Sequence, residues 1–411
     1  MSIKRPELLA PAGDLEKLQT AVRFGADAVY AGAGSFSLRT DNNSFTLNEL
    51  GEGIRFAHEH GCKFYLAMNV YAFDNDLAKL RAYFLEAANL GIDAVIVSDP
   101  GVLQLLQGLS TGVKFHISTQ ANTTNSEAVK FWLNNGAARI VAARELTLEQ
   151  LREIKQTVPS AELEIFIHGA MCIAYSGRCL LSRHLTGRSA NRGECAHPCR
   201  WEYTMCADGH SDIYTAEEDR RGLYILNSRD LCLLEHIPKL IEAGIDSFKI
   251  EGRMKSAFYA AMTTKVYRQA IDTYLADPQK YSTAQEWRDN LNKISHRPYT
   301  DGLLFPNGEP AEYPSDSAYI KNYDFVGVVE NYDAETKQLT IAGRNRFRSG
   351  DELEILDYKI APIQKIKIGQ MQKNNGEIIS EAHNSYLVTV DLTGQTVEPI
   401  SKYSILYRKH L

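Results

Sequence analysis

Hydrophobic positions in the first 250 residues follow two alternating rhythms. Longer stretches such as LNELGEGIRFAHEH (47–60), LAKLRAYFLEAANL (77–90) and TLEQLREIKQTV (147–158) carry apolar residues at helical spacing. Between such stretches lie short, unbroken apolar runs. Four of them share one signature: FGADAVYAG (24–32), LGIDAVIVSD (90–99), NGAARIVAAR (135–144) and AGIDSFKIEG (243–252). The glycine ends a helix by supplying a left-handed cap. The run after it is too short for a buried helix and too continuous for a half-exposed strand, so it reads as a buried parallel strand. ELLAPA (7–12), KFYLAMNV (63–70), KFHISTQ (114–120) and LEIFIHG (163–169) supply four more. Eight strands alternating with helices predict an α/β fold, a TIM-like (β/α)8 barrel. An open doubly wound sheet is the competing topology, but no GxGxxG turn follows the first strand.

The rhythm breaks between strands seven and eight, where residues 169–244 form an insertion of about 75 residues, far more than a plain connection needs. Long insertions at the C-terminal face of a barrel usually carry function. A long helical stretch (256–278) closes the barrel region, 1–278, and 279–324 reads as an irregular, polar connector. From about 325 the runs become short and alternating: FVGVVENY, KQLTIAG, DELEILD, IQKIKIG and SYLVTVDL, separated by turn signals. They predict a small all-β barrel domain over 325–411.

The bulk composition bounds the partners. Of 411 residues, 44% are hydrophobic and 23% charged, the balance of a globular protein with a real core. A net charge of −6 excludes a wholesale nucleic-acid coat, so any RNA contact must be local and no DNA partner is expected. The N-terminal MSIKRPELLAPAG lacks the apolar run of a signal peptide, and no stretch of about 18 apolar residues occurs; a cytoplasmic protein without a membrane partner is expected.

In a reducing compartment, clustered cysteines are more often metal ligands or catalysts than disulfides. Four of the seven cysteines, Cys172, Cys179, Cys195 and Cys199, form a C-x6-C-x15-C-x3-C series that starts directly after strand seven. Four soft thiolates suit an iron–sulfur cluster or zinc. Zinc ribbons favour tight knuckles in both halves, and one half here is wide. Structural zinc and unrelated buried cysteines remain alternatives. So does a cysteine nucleophile served by His168, four residues before Cys172, although nothing selects one thiol of the four. Cys62 and Cys232 read as core cysteines, and Cys206 as a strand residue.

Barrel enzymes build their sites from strand ends. Those ends supply Arg39, Asn69, His116, Gln120, Arg144, Glu145, His168, Lys249, Glu251 and Arg253, with Arg178 inside the cysteine series. An ordinary loop salt bridge, such as Arg253 with Glu251, competes for each arginine. Two basic patches could meet RNA: RHLTGRSANRG (183–193) and GRNRFRSG (343–350). The second interleaves arginine with phenylalanine, which suits stacking on unpaired bases; a solvated hairpin tip is the competing reading.

EIFIHGAMCIAYSGRC (164–179) closely resembles the signature of the collagenase-like peptidase family, unassigned peptidase family thirty-two. PELLAPAGDLEKLQTAVRFGADAVYAG (6–32), ISTQANTTN (117–125), AARELTLEQL (142–151) and SFKIEGRMKS (247–256) fit the same family, so the resemblance spans nearly the whole chain. CRWEY (199–203) and NNSF (42–45) resemble its tRNA-hydroxylating branch. That resemblance implies oxygen-independent formation of 5-hydroxyuridine at the tRNA wobble position. It also implies a four-iron, four-sulfur cluster on Cys172, Cys179, Cys195 and Cys199, and prephenate as hydroxyl source. Some relatives take the fourth ligand from elsewhere; the intact C-x3-C pair favours Cys199 over Cys206 or Cys232. Prephenate is a dicarboxylate, so Arg144 and Arg253 become candidate anchors, with Arg39 or Arg178 in support and Asn69, His116 and Gln120 lining the site. His168, Lys249 and Glu251 are the catalytic candidates. A paired homologue or an electron donor is an expected partner. The family name keeps a peptidase open, and an RNA-binding scaffold with structural zinc is a third reading.

Overall fold

The structure is a computed structural model describing residues 4–32, 34–37, 45–171, 181–189, 195–196, 198, 218–219, 222–223, 229–305, 319–359 and 363–410. All eight expected barrel strands are present: β1 (Glu7–Pro11), β2 (Ala28–Gly32), β3 (Lys63–Ala67), β4 (Ala94–Val97), β5 (Lys114–Ile117), β6 (Arg139–Val141), β7 (Glu162–Ala170) and β8 (Ser247–Ile250). Each runs parallel to the next, and β8 pairs with both β7 and β1, which closes the barrel. Closure leaves no edge strand in the ring.

The helices start and stop where local chemistry dictates. Asp14 caps α1 (Leu15–Arg23), and capping boxes of Thr46 with Glu49 and Thr147 with Gln150 open α2 (Leu47–Glu59) and α3 (Leu148–Thr157). Gly25, Gly91, Gly136 and Gly244, the glycines of the repeated signature, all take positive φ as the chain leaves a helix for a strand. The continuous apolar runs arise because both strand faces are covered. Leu8, Val29, Phe64, Val95, Ile117, Ile140 and Phe248 pack outward under the helices. Leu9, Ala28, Tyr30, Tyr65, Ala67, Ala94 and Ile96 form a separate cluster inside the ring.

The described parts of the connector, 279–305 and 319–324, are more ordered than their polarity implies. They contain a helix (Gln285–Leu291) and a short strand (Tyr299–Thr300). That strand pairs parallel with Asp230–Cys232, which in turn pairs antiparallel with the end of β7. Backbone hydrogen bonding, invisible to composition, joins insertion, connector and barrel in one sheet. The C-terminal region forms an eight-stranded antiparallel sheet, an open half-barrel with its own core, where a small barrel was expected. It packs on the last barrel helix, Ala257–Ala276, where Phe258 stacks on Tyr407 with ring centroids 4.6 Å apart.

Candidate active site at the barrel mouth

The lumen is layered by the two-residue period of its strands. At its N-terminal end, charged first residues converge. Arg139 binds Glu7, Glu162 and Glu164, the Glu164 contact being 3.2 Å. Lys63 reaches Glu7 at 3.0 Å, and Tyr65 donates to the same carboxylate at 2.8 Å. Lys249 Nζ lies 2.9 Å from Glu164 Oε1, and Ser247 donates to Oε2 at 3.1 Å. Burial opposes ionisation of Glu164, but Lys249 and Arg139 hold its carboxyl below the usual range. Burial pushes the Lys249 ammonium down, against the pull of Glu164. Isolated charges in such a place would be prohibitive, and the network compensates them mutually.

Above this floor, His116 stands edge-on to Tyr65, ring centroids 4.7 Å apart. Burial, and then the Arg139 and Lys249 charges, push its imidazole well below the usual range, so it is neutral. Lys249 Nζ sits 4.5 Å from the Tyr30 ring centroid. Tyr30 donates to Ile250 O at 2.9 Å and comes within 3.4 Å of Glu251 Oε2. Arg253 turns back across β2 and donates to Ser37 Oγ at 2.6 Å. That path needs glycine: a Cβ on Gly32 would lie 2.8 Å from Arg253 Nη1. On the other wall, Asn69, Ser98, Ser118 and Gln120 interlock. Asn69 Nδ2 donates to Ser118 Oγ at 3.3 Å, and both serine hydroxyls lie 3.2 Å from Gln120 Oε1. The expected strand-end residues Asn69, His116, Gln120, Lys249, Glu251 and Arg253 thus come from three strands, β3, β5 and β8, to one lumen and its mouth.

His168 is a correction. Alternation along β7 sends Glu164 and Phe166 inward and would send His168 after them. The β7–β8 register shifts instead, so that Lys249 faces Phe166 and Ile250 faces His168. This bulge turns the imidazole outward. There it is 1% exposed, packed among Tyr259, Tyr267 and Tyr299, with Nδ1 3.2 Å from Tyr267 Oη. Burial, then the His296 and Lys255 charges, push it down to about 3. The imidazole is therefore neutral and sits outside the lumen, packed as a core side chain. Its cross-strand neighbour Cys232 lies 3.7 Å from the same tyrosine hydroxyl, and burial pushes that thiol up to about 11.

Arg144 leaves the ring between β6 and β7. It donates to Ala170 O at 2.9 Å and lies 4.0 Å above the Phe166 ring. With Met171, Asp301 and Leu303 it borders an apolar cleft where the cysteine series begins. Cys172, Cys179, Cys199 and Cys206, with Arg39 and Arg178, lie outside the described residues. Cys195 is described and half-buried; the next residue, Ala196, donates its N–H to Ser182 Oγ at 3.0 Å, tying that strip to the helix Leu181–Thr186. Among the described residues, no group of three or more His, Cys, Asp or Glu side chains is placed to hold a metal ion. Nor is any described helix long and apolar enough to cross a membrane.

The 343–350 patch is a second correction. Phe347 is 0% exposed in the core of the C-terminal sheet and cannot stack on a base. Arg346 and Arg348 are exposed, and both pair with Glu381. Sequence reading passed over Glu7, Tyr30, Ser98, Ser118, Arg139 and Glu164. The available signal was a charge inside an otherwise apolar strand run, as in RIV and LEIF.

The sequence matches the description Peptidase family U32 over residues 13–312 and the Peptidase family U32 C-terminal domain over 321–406. It is 42% identical over 360 residues to tRNA hydroxylation protein P1 of Bacillus subtilis, covering 87% of this chain and 85% of that one. It is 35% identical to the 23S rRNA 5-hydroxycytidine C2501 synthase of Escherichia coli, covering 87% of this chain and 53% of the relative. It is 34% identical to a collagenase of Porphyromonas gingivalis, covering 90% and 94%. Barrel and half-barrel correspond to the two matched regions, and the chain belongs to peptidase family U32.

Proposed function

We propose that this chain is an RNA-modifying enzyme that hydroxylates the wobble uridine of tRNA to 5-hydroxyuridine without molecular oxygen. The observation that carries the reading is the 42% identity, across most of both chains, with a protein named for tRNA hydroxylation. A ribosomal RNA hydroxycytidine synthase of the same family points to the same chemistry on a pyrimidine ring.

The site residues fit that reading. Prephenate, the proposed hydroxyl source, carries two carboxylates. Arg253, cradled by Gly32 and Ser37, offers a fork to one of them. Asn69, His116 and Gln120 form the facing wall, and Arg144 stands at the rim. Glu251, 3.4 Å from the Tyr30 hydroxyl, can hold or move a proton at the mouth, and Lys249 supplies positive charge beneath it. The proposed four-iron, four-sulfur cluster would be held by Cys172, Cys179, Cys195 and Cys199, a donor set of four soft thiolates. Cys206 and Cys232, the latter beside the end of β7, are the competing fourth ligands. When bound, the cluster would supply electron transfer, Lewis acidity or a sulfur or oxygen relay. An electron donor or a paired homologue would be its protein partner.

Nucleoside mass spectrometry of tRNA from a strain lacking the gene tests the activity: 5-hydroxyuridine should disappear, and an unchanged level refutes the proposal. Anaerobically purified protein should be brown and lose its colour in Cys172→Ser. Comparing Cys199→Ser with Cys206→Ser and Cys232→Ser identifies the fourth ligand, and colourless protein with stoichiometric zinc refutes the cluster. Peptide cleavage that survives substitution of all four cysteines would instead favour the hydrolase of the family name.

A further inference from the structure

We infer that the short helix Leu181–Thr186 and the turn after it form a phosphate-binding face for the tRNA, with Arg183 and Arg188 each meeting one backbone phosphate. This rests on the proposed function, which takes tRNA as the substrate.

A chain of net charge −6 repels a polyanion on average, so RNA needs a local concentration of positive charge to approach it. The sequence supplies one. Between Glu164 and Glu194 no aspartate or glutamate occurs, whereas Arg178, Arg183, Arg188 and Arg192 do. Arg178 and Arg192 lie outside the described residues, and the inference uses only the other two. Arg183 and Arg188 are exposed, as is His184. Among the described residues, neither guanidinium has an ion-pair or hydrogen-bond partner. Exposed arginines elsewhere are compensated: Arg5 by Asp27, Arg288 by Glu235, and both Arg346 and Arg348 of the second basic patch by Glu381. Unpaired cations need not give up a protein partner before they take a phosphate.

The backbone that carries them is fixed. Ser182 is 0% exposed, and its Oγ accepts the Ala196 N–H at 3.0 Å. Its carbonyl accepts from Thr186 Oγ1 at 2.7 Å. The helix stops at Gly187, whose φ of 73° turns the chain. The Gly187 N–H returns to Arg183 O at 2.9 Å, and the Arg188 N–H donates to Thr186 Oγ1 at 3.3 Å. Arg188 is thereby folded back against the end of the helix that bears Arg183. Ala196 directly follows Cys195, so the same hydrogen bond to Ser182 sets this face beside a proposed cluster ligand. Phosphate contacts fix the register of an RNA without reading its bases, and a face in this place would hold the tRNA while its wobble nucleotide reaches the site.

The test is the salt dependence of binding between the full-length protein and a tRNA transcript with uridine at the wobble position. Arg183→Gln with Arg188→Gln should lower the slope of log affinity against log salt by about 1.4–1.8, the release of counterions from two phosphates. At about 0.15 M salt the same pair should weaken binding by about tenfold. Arg183→Lys with Arg188→Lys keeps both charges and should keep the slope. Lys79→Gln with Arg81→Gln, an equal charge change on the exposed face of the helix Asp74–Asn89, should also leave it at the wild-type value. An unchanged slope in the folded double glutamine variant, or an equal fall in the Lys79 and Arg81 control, overturns the inference. Unchanged tRNA binding together with lost binding of an acidic electron-transfer protein assigns the face to that partner and overturns it too. The nucleoside measurement in the deletion strain does not depend on which residues meet phosphate, so failure of the hydroxylation reading is told apart from failure of this one.

Discussion

Substituting His168 by phenylalanine separates two roles that the sequence leaves entangled. The imidazole is buried among three tyrosines and held at about 3, against an ordinary 6.5. The unfolded chain therefore binds a proton at this position below pH 6.5 that the folded chain refuses until about pH 3. Stability from this group is fully present above pH 6.5 and is lost as pH falls through that window. At about 1.4 kcal/mol per pH unit, lowering the pH from 7 to 5 removes about 2 kcal/mol. Phenylalanine preserves the aromatic packing and forfeits only the 3.2 Å contact with Tyr267, whose hydroxyl still donates to Ile167 O at 3.0 Å. His168→Phe should thus lie within about 1 kcal/mol of wild type at pH 7, since a neutral hydrogen bond contributes about that much. At pH 5 it should be the more stable protein by about 1–2 kcal/mol. Urea unfolding of both proteins at the two pH values measures the double difference and cancels the contribution of every other group. Equal pH slopes would refute the buried, neutral imidazole. The same variant should keep most 5-hydroxyuridine in vivo; loss to the deletion level in a folded protein would return His168 to catalysis.

Glu164→Gln leaves Arg139 and Lys249 buried beside a neutral amide, and should cost about 3–5 kcal/mol in urea unfolding; a loss under about 1 kcal/mol would contradict the network. Gly32→Ala places a Cβ 2.8 Å from Arg253 Nη1 and 3.0 Å from Ser37 Oγ, so tRNA hydroxylation should fall with little change in melting temperature, and unchanged hydroxylation removes Arg253 from the site. Phe347→Ala should destabilise by about 3–5 kcal/mol, as expected for emptying a core position, without changing RNA affinity in protein that remains folded. Replacing Arg346 and Arg348 together should lower the salt-dependence slope of tRNA binding by about 2 if both meet phosphates, and an unchanged slope excludes this patch from the interface.

The eight barrel strands were legible because their causes are local. A glycine that ends a helix and a short apolar run bounded by turns are written in consecutive residues, and a ring covered on both faces demands just such runs. Lumen positions such as His116, Lys249 and Glu251 were legible for the same reason, since strand ends point at the mouth. The direction of His168 was not, because it depends on a bulge in the pairing of β7 with β8, and register is a property of two strands rather than one. Nor was the charge floor: Glu7 and Arg139 stand 132 residues apart, and each is tolerable inside only because the closed ring brings the other to it. Phe347 read as a stacking platform because alternating arginines mark an exposed strand face; the half-barrel put the phenylalanine on the opposite face, in the core. By itself the sequence determined which strands exist, where they end and that four clustered cysteines follow the seventh. Tertiary structure decided which side chains enter the lumen and what compensates their charge, because those answers rest on contacts between segments that the chain keeps far apart.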